Sequence, residues 1–386
     1  MMSEWKKVSV SDLGRIVTGK TPKTAISEYY GGCIPFLTPS DDMSVKYVLS
    51  TSKTITEDGK NSVKNAVIPK NSICVSCIGS DLGKVVITTK ETVTNQQINS
   101  VIVNTELYDV DFVYYAMVIL GKVLNYHSKT STAVPIVNKS TFSQYEILCP
   151  ELSEQRKIAR ILSEIDSKIA INTAINENLE QQAQAIYAQM FIESAEESWE
   201  TGSLSDIAVI TMGQSPKGDT FNETGEGAVF YQGRTDFGFR FPTRRLYTTE
   251  PKRIALCGDA LMSVRAPVGD LNVAYEECCI GRGLAAIHSK DNHQSFVLYT
   301  LFTLKKQLDV FNGEGTVFGS VNKESLNSME ITIPPRELMD RFESTVSPID
   351  RVIRNNYEEI CRLQAIRDTL LPKLMNGEID VSAVKI

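Results

Sequence analysis

An internal duplication is the feature that most constrains what this 386-residue chain folds into. The stretch that begins at Trp5 reads WKKVSVSDLGRIVTGKTPK, and the stretch that begins at Trp199 reads WETGSLSDIAVITMGQSPK, an offset of 194. Farther along, Val-Asn-Lys (137–139 and 321–323), Pro (150 and 334) and Ile-Asp (165–166 and 349–350) repeat at an offset of 184. A two-copy period of about 190 residues is much longer than a solenoid repeat, so it predicts a duplicated domain.

Each copy begins with a part that is rich in short β-like runs, over 1–150 and 199–333. Apolar runs at 72–78, 84–89, 100–103, 260–264 and 271–274 are separated by Gly, Pro, Asn and Asp, the pattern of strands and turns. Aromatic and aliphatic residues at helical spacing predict short helices at 111–120 and 294–304. The expected fold class is therefore α+β.

Each copy ends with a helical part, over 151–198 and 334–386. Its stripe residues alternate steps of four and three over more than four heptads, which predicts a coiled coil rather than a helix packed on its own domain. Ser153 is the expected N-cap of the first helix, and Asn376-Gly377 the expected end of the second. The stripes are Ile158, Leu162, Ile165, Ile169, Asn172, Asn176, Leu179, Ala183, Ile186 and Met190, and Phe342, Val346, Ile349, Ile353, Asn356, Ile360, Leu363, Arg367, Leu370 and Leu374.

A polar position interrupts both stripes at the same place, Asn172 in the first and Asn356 in the second. A duplicated unit that closes about a pseudo-two-fold axis makes the two helices antiparallel, so residues near the middle of each helix meet. We expect Asn172 and Asn356 to approach one another, with Asn176 sharing the site, and to penalise slipped registers. A forty-residue helix is about 60 Å long, so the two β-rich domains are expected at opposite ends of a rod.

Composition narrows the class of protein. No segment approaches the roughly 20 apolar residues that span a bilayer, and the N-terminus has no signal-peptide core, so a cytoplasmic protein is expected. The eight cysteines fit buried free thiols, although Cys74 and Cys77 have the spacing of half a zinc site. The net charge of −7 is uneven: 1–150 has 15 basic and 13 acidic residues, whereas 151–198 has 4 and 9. A nucleic-acid partner is therefore compatible with the local charge.

With this layout, the chain resembles the specificity subunits of Type I restriction-modification systems, whose two target recognition domains alternate with two long helical regions. The resemblance covers essentially the whole chain, and it divides it into recognition domains at 1–150 and 199–333 and conserved helical regions at 151–198 and 334–386. The distal domain keeps GQSP at 213–216 but has Arg282 in place of Gln96-Gln97. The matching motifs are GKTP (19–22), YGGCIPF (30–36), IPKNS (68–72), LGKV (82–85), NQQ (95–97), EQRKIA (154–159) and LLPKLMNGEI (370–379).

The resemblance implies a non-catalytic subunit that reads a bipartite, asymmetric DNA target. It implies double-stranded DNA, two methyltransferase subunits and translocating restriction subunits as partners. The cofactor S-adenosylmethionine is expected in the methyltransferase, which methylates adenine, and none in this chain. The alternatives are a specificity subunit of a simpler, Type II-like enzyme, and a coiled-coil scaffold or a carbohydrate- or protein-binding repeat.

The motif content agrees with a subunit that has no reaction of its own. The sequence contains no Asn-Pro-Pro-aromatic loop of the amino-methyltransferases and no Walker phosphate-binding loop. Gly281-Arg282-Gly283 resembles part of a dinucleotide-binding loop, but a tight connection between strands is the better interpretation.

Candidate DNA contacts follow from the chemistry of recognition: Lys and Arg neutralise phosphates, whereas amides, guanidinium groups and hydroxyls read base edges. Over 234–265, seven basic residues face three acidic ones, and replacing Arg244 and Arg245 together is expected to weaken DNA binding. The candidates are Lys20, Thr21, Lys23, Thr38, Ser40, Gln96, Gln97, Lys129, Thr130, Ser131, Lys217, Arg234, Arg240, Arg244, Arg245, Arg265 and Arg282.

Overall fold

A computed structural model describes residues 5–79, 82–129, 136–312 and 319–384, with the backbone alone for 127–129. The chain divides into two compact units. Unit 1 consists of Met1–Asn172 with Glu358–Ile386, and unit 2 consists of Thr173–Tyr357. The fold is mixed α+β, as the sequence predicts.

The first copy runs from β1 to α4, with 3-10 turns at Ser27–Tyr29 and Lys64–Ala66 and a π-helical turn, Gln189–Glu193, after α4. Its elements are β1 (Lys6–Ser9), β2 (Gly14–Thr18), β3 (Tyr30–Leu37), β4 (Tyr47–Val48), β5 (Thr54–Ile55), α1 (Glu57–Asn61), β6 (Val67–Ile68), β7 (Ile73–Ser76), β8 (Val85–Thr88), β9 (Thr92–Thr94), β10 (Ile98–Val103), α2 (Val110–Lys129), α3 (Lys139–Gln144), β11 (Glu146–Cys149) and α4 (Leu152–Ala188).

The second copy runs from β12 to α9, with 3-10 turns at Gly218–Thr220, Arg234–Asp236 and Val310–Asn312. Its elements are β12 (Glu200–Ser203), α5 (Leu204–Ile207), β13 (Ala208–Met212), β14 (Phe221–Asn222), β15 (Ala228–Tyr231), β16 (Tyr247–Thr248), β17 (Ile254–Ala255), β18 (Ala260–Ser263), β19 (Leu271–Val273), β20 (Cys278–Ile280), β21 (Leu284–Ser289), α6 (Gln294–Thr303), α7 (Lys305–Asp309), α8 (Lys323–Asn327), β22 (Glu330–Ile333) and α9 (Arg336–Met375).

The two copies share one sheet topology. In each, the first strand pairs antiparallel with the strand that precedes the long helix, β1 with β11 and β12 with β22. The main sheet has the order β2-β10-β7-β8-β4 in unit 1 and β13-β21-β18-β19 in unit 2. A second sheet is present in each, β5-β3-β9-β6 in unit 1 and β14-β16-β15-β20-β17 in unit 2, and it contains one parallel pair, β3 with β9 and β15 with β20. The predicted strands are therefore present, each within one or two residues of its expected ends.

Both long helices contribute to each unit, and within each unit they run antiparallel. In unit 1, Asp166 of α4 pairs with Arg367 of α9 at 3.1 Å, and Asn172 bonds to Glu359. In unit 2, the ring of Tyr187 lies 5.6 Å from that of Phe342. Residue numbers along α4 therefore increase as those of their partners on α9 decrease, which is the pattern of antiparallel helices. No helix among the described residues is long and apolar enough to cross a membrane.

Each unit has its own main core, between the main sheet and the two helices. In unit 1 the predicted helix at 111–120 is longer, spanning Val110–Lys129, and its Phe112 packs with Ile158 and Leu371 of the long helices. In unit 2 the core is aromatic: Phe296 of α6 lies 5.0 Å from Phe191. Such ring pairs add about 0.5–1.5 kcal/mol each beyond the burial of their apolar area.

The ends of the long helices test the predicted caps. Met375 is the last residue of α9, and Gly377 follows with a φ of 79°, as the expected stop at Asn376-Gly377 requires. The N-cap prediction was wrong, because α4 begins at Leu152 and Ser153 lies inside its first turn. The carbonyl of Glu151 instead accepts the first helical hydrogen bonds, from Glu154 at 2.9 Å and Gln155 at 3.0 Å.

Candidate nucleic-acid interface

A loop with the sequence Gly-Lys-Thr-Pro-Lys follows β2 in unit 1. The amide of Gly19 donates to the carbonyl of Ile98 at 3.1 Å, and the amide of Lys20 donates to that of Thr94 at 2.8 Å. A Cβ added to Gly19 would lie 2.0 Å from the carbonyl oxygen of Asn95, so this close approach requires glycine. The loop is thereby held against the turn that precedes β10.

The corresponding loop of unit 2, Gly-Gln-Ser-Pro-Lys, follows β13 and has the same anchors. The amide of Gly213 donates to Leu284 and that of Gln214 donates to Ile280, both at 2.9 Å. A Cβ on Gly213 would lie 2.1 Å from the carbonyl oxygen of Gly281. The two loops are therefore equivalent in backbone structure, and they differ in the side chains that they present.

Four of the predicted contacts of unit 1 lie together on this loop and the adjoining turn. Lys20, Lys23 and Gln96 are exposed. The hydroxyl of Thr21 donates to the carbonyl oxygen of Gln96 at 2.7 Å. That bond leaves the amide nitrogen of Gln96 as a donor. The group can therefore offer two cations and an amide to a phosphate backbone and a base edge.

Three other predicted contacts of unit 1 are engaged within their own loops. Gln97 is half-buried and accepts a hydrogen bond from Asn95 at 2.9 Å. Thr38 donates to the carboxylate of Asp41 through its amide at 2.8 Å and its hydroxyl at 3.0 Å, and its hydroxyl lies 2.7 Å from that of Ser40. These side chains stabilise turns, so they are weaker candidates for contact with DNA.

Sequence reasoning missed one stretch beside Lys20. A cavity of about 480 Å³ is lined by residues 18–20 and 61–66. Asn61, Lys64 and Asn65 are exposed there. The only signal in the sequence was a polar, turn-like composition, which does not indicate proximity to a loop forty residues earlier.

In unit 2, Lys217, Arg265 and Arg282 are exposed. The backbone amide of Arg282 donates to the hydroxyl of Ser215 at 3.3 Å, which ties the turn between β20 and β21 to the loop after β13. That turn is the tight strand connection that the sequence predicts. Arg265 and Arg282 line one cavity of about 340 Å³, together with Met212 and 319–322.

Three more arginines of unit 2 are exposed but already paired. Their guanidinium groups contact carboxylates. Two of these carboxylates lie outside 234–265, and the third is one of the three acidic residues within it. These three arginines therefore do not offer a free basic surface. The partners are Asp270 for Arg234, Glu276 for Arg244 and Asp236, at 2.8 Å, for Arg245.

The assignment of Arg240 to DNA contact is corrected by its position. Its side chain is 4% exposed, pairs with Glu180 at 3.1 Å and with Asp350, and donates to the hydroxyl of Tyr299 at 3.2 Å. Burial opposes its charge, but Asp350, Tyr299 and Glu180 hold its pKa above the ordinary value. Burial also raises the pKa of Glu180, which Arg240 opposes. Arg240 joins the β-rich part of unit 2 to both long helices.

The remaining predicted contacts of unit 1 are Lys129, Thr130 and Ser131. Lys129 is the last residue of α2, and nothing is described of its side chain. Thr130 and Ser131 lie outside the described residues.

The helix asparagines form a different pair from the one expected. Asn356 donates to the side-chain oxygen of Asn176 at 2.8 Å, and Asn176 donates to the carbonyl of Ile353 at 3.1 Å. Asn172 instead donates to Glu359 at 2.8 Å. Asn172 and Asn176 are buried, at 1% and 3% exposure. The amides thus face the helix seam, with Asn176 as the partner of Asn356.

The Cys-x-x-Cys motif lies in the core of unit 1. Cys74 and Cys77 are both buried, and burial raises their pKa values to about 12 and about 11. Zinc binds the thiolate, which burial disfavours here. Among the described residues, no group of three or more His, Cys, Asp or Glu side chains is placed to hold a metal ion.

Two copies of one scaffold, each with an exposed polar and basic loop, define a duplicated α+β protein. The chain belongs to the family of Type I restriction modification DNA specificity domains, whose model matches residues 2–181 and 196–360. The family domain thus occurs twice, in agreement with the duplication in the sequence.

Individual relatives agree with this family. A Methanocaldococcus jannaschii protein assigned as the MjaX type I restriction enzyme specificity subunit is 32% identical over 293 residues, 69% of this chain and 68% of the relative. The MjaIX specificity subunit of the same organism is 25% identical over 417 residues, 98% and 94% of the two chains. The Type I restriction-modification S subunit from M. genitalium has a TM-score of 0.60 at 18% identity, covering 97% and 96%, which shows a shared fold.

Proposed function

We propose that this chain is the DNA-recognition subunit of a Type I restriction-modification complex and that it reads a bipartite, asymmetric target. The observation that carries the proposal is the pair of equivalent loops, after β2 and after β13, anchored by matching backbone hydrogen bonds. Because the two loops present different side chains, each reads a different half-site.

Each unit has the groups that a DNA reader needs. Lys20 and Lys23 in unit 1, and Lys217 in unit 2, are exposed cations suited to phosphates. Gln96 and Arg282, at the adjoining turns, are exposed groups suited to base edges. The proposed recognition domains are 1–150 and 199–333.

The helical regions, proposed as 151–198 and 334–386, set the gap between the half-sites. The proposal treats α4 and α9 as an antiparallel coiled coil whose seam includes Asn176 and Asn356. A polar pair in an apolar seam penalises a slipped register, because a slip leaves both amides without partners. Inserting whole turns into a helix should then change the gap and leave both half-sites intact.

The proposed partners carry out the reactions. Two methyltransferase subunits, which bind S-adenosylmethionine, methylate adenine in the target, and restriction subunits cleave DNA, all in the cytoplasm. This chain recognises the target sequence and has no catalytic role.

Genome-wide mapping of methylated adenine, in cells with and without this chain, tests the function. We expect a two-part motif with a fixed gap that disappears when the chain is deleted. An unchanged methylation map would contradict the proposal. Purification of the tagged chain separates the alternatives: restriction subunits should co-purify with a Type I complex, whereas a simpler, Type II-like enzyme would lack them.

A further inference from the structure

We propose that Arg282, with Arg265 beside it, reads guanine in the half-site bound by unit 2. This inference rests on the proposed function, and it assigns one base to two residues of unit 2. Four features of unit 2 support it: the equivalence of position, the absence of an ion pair among the described residues, the closely packed backbone and the chemistry of the guanidinium group.

The position of Arg282 is fixed by a hydrogen bond that both units share. In unit 1 the amide of Cys77 donates to Gln97 at 2.8 Å, and in unit 2 the amide of Val264 donates to Gly283 at 2.9 Å. Gln97 and Gly283 are therefore equivalent acceptors. The residue before each of them has an exposed side chain, so Arg282 in unit 2 occupies the position of Gln96 in unit 1.

The position of Arg265 is fixed by an isolated β-bridge. Ile78 bridges Ile136 in unit 1, and Arg265 bridges Ser320 in unit 2. The residues after the bridges continue the match, since Val137 donates to Cys77 as Val321 donates to Val264. Unit 2 therefore has an arginine at both places where unit 1 has an isoleucine and a glutamine.

Ion pairing separates these two arginines from the others. Arg234, Arg244 and Arg245 each contact a carboxylate. Arg240 is buried and pairs with Asp350. Among the described residues, Arg265 and Arg282 have no carboxylate within 4 Å. A base that binds them therefore displaces no carboxylate of the described residues, which favours hydrogen bonding by both guanidinium groups.

The backbone beneath Arg282 is closely packed. A Cβ added to Gly281 would lie 2.9 Å from the Cα of Gln232, and one on Gly283 would lie 2.8 Å from its carbonyl oxygen. The amide of Arg282 is held by Ser215 at 3.3 Å. Because the backbone is already ordered, binding has to order only the side chains.

The chemistry of the guanidinium group selects guanine. Its parallel N–H groups match the O6 and N7 acceptors that guanine presents in the major groove, whereas adenine offers one acceptor and one donor there. A contact to phosphate would use the same cation but would carry no base preference. The two modes therefore differ in what a glutamine substitution does.

The experiment uses the chain assembled with its methyltransferase partner and compares R282Q, R265Q and the matched control R244Q with the wild type. Methylation maps give the target of each, and binding to duplexes with single base-pair changes gives the affinities. We expect a fixed G·C pair in one half-site, and we expect R282Q to lower the preference for it roughly tenfold. R265Q should act in the same half-site, and R244Q should leave both half-sites unchanged.

Several outcomes would overturn the inference. A uniform loss of affinity across all duplexes, with a salt slope lowered by about 0.9, would show a phosphate contact. An unchanged preference in R282Q, or effects of the two variants in different half-sites, would show that the arginines do not read one guanine. Methylation that does not depend on this chain would instead contradict the proposed function itself. Unchanged urea unfolding of each variant excludes misfolding as the cause.

Discussion

The β-rich parts of unit 1 and unit 2 have the same backbone plan and different exposed side chains. Both units have glycine at this loop position, Gly19 and Gly213, because a Cβ there would lie 2.0 or 2.1 Å from a backbone carbonyl oxygen. The neighbouring positions Gln96 and Arg282 differ, and both side chains are exposed, so no core packing restricts them. The comparison teaches that steric and hydrogen-bonding demands preserve the scaffold, while the exposed surface proposed to contact DNA differs between the units.

The same comparison holds where each β-rich part meets the helices. Lys46 and Arg240 are equivalent, because their carbonyls accept matching bonds from β8 and β19, at 2.8 and 2.9 Å. Lys46 contacts the hydroxyl of Tyr115 at 3.2 Å, and that hydroxyl donates to Asp166 at 2.6 Å. In unit 2, Arg240 donates to the hydroxyl of Tyr299, which donates to Asp350. This tyrosine and aspartate follow those of unit 1 at the repeat offset of 184. Burial raises the pKa of both tyrosines, which keeps them as donors.

The largest expected effect concerns these cations. Arg240→Met leaves Glu180 and Asp350 without their shared partner in a buried site, which should cost about 3–5 kcal/mol. Lys46→Met should cost only about 1 kcal/mol, because Asp166 keeps Arg367 at 3.1 Å and Asp111 is one-third exposed. Urea unfolding measures both changes.

Each unit contains one of the two tryptophans, so the two unfolding reactions can be followed separately. Trp5→Phe leaves Trp199 as the reporter of unit 2, and Trp199→Phe leaves Trp5 as the reporter of unit 1. Each methionine variant is compared with the same single-tryptophan parent. Equal losses in the two units would contradict the view that Glu180 and Asp350 depend on Arg240 more than Asp166 and Asp111 depend on Lys46.

A smaller effect is expected in the helix seam. Asn356→Leu leaves the buried oxygen of Asn176 without a donor and should cost about 1–3 kcal/mol. Adding Asn176→Leu should recover part of that loss, so the two changes should not be additive in a double-mutant cycle followed by urea unfolding. Strict additivity would show that the two amides act independently.

The smallest effect is expected from Arg244 and Arg245. The sequence predicts that replacing both weakens DNA binding, but their pairs with Glu276 and Asp236 reduce the charge that they offer to phosphate. The R244Q/R245Q double variant should therefore change the affinity of the assembled complex less than R282Q does. Its salt slope, measured between 50 and 200 mM salt, should fall by less than about 0.9. A larger fall would return these arginines to the DNA-contacting surface.

The sequence by itself determined the duplication, the α+β class, the strands and long helices, and the stop at Asn376-Gly377. These features depend on local periodicity, on turn chemistry and on glycine, all of which are written in neighbouring residues. The N-cap at Ser153 failed because Glu151, two residues earlier, already accepts the first hydrogen bonds of the helix.

Only the tertiary structure decided which cations are free. Arg240 meets Asp350, 110 residues away, and Arg244 meets Glu276, 32 residues away, so a local count of charges could not foresee either pair. It also decided that Asn356 bonds to Asn176, because a heptad stripe fixes the face of a helix and not the stagger of its antiparallel partner. Charge pairing and stagger join residues that are distant in sequence, and packing alone brings them together.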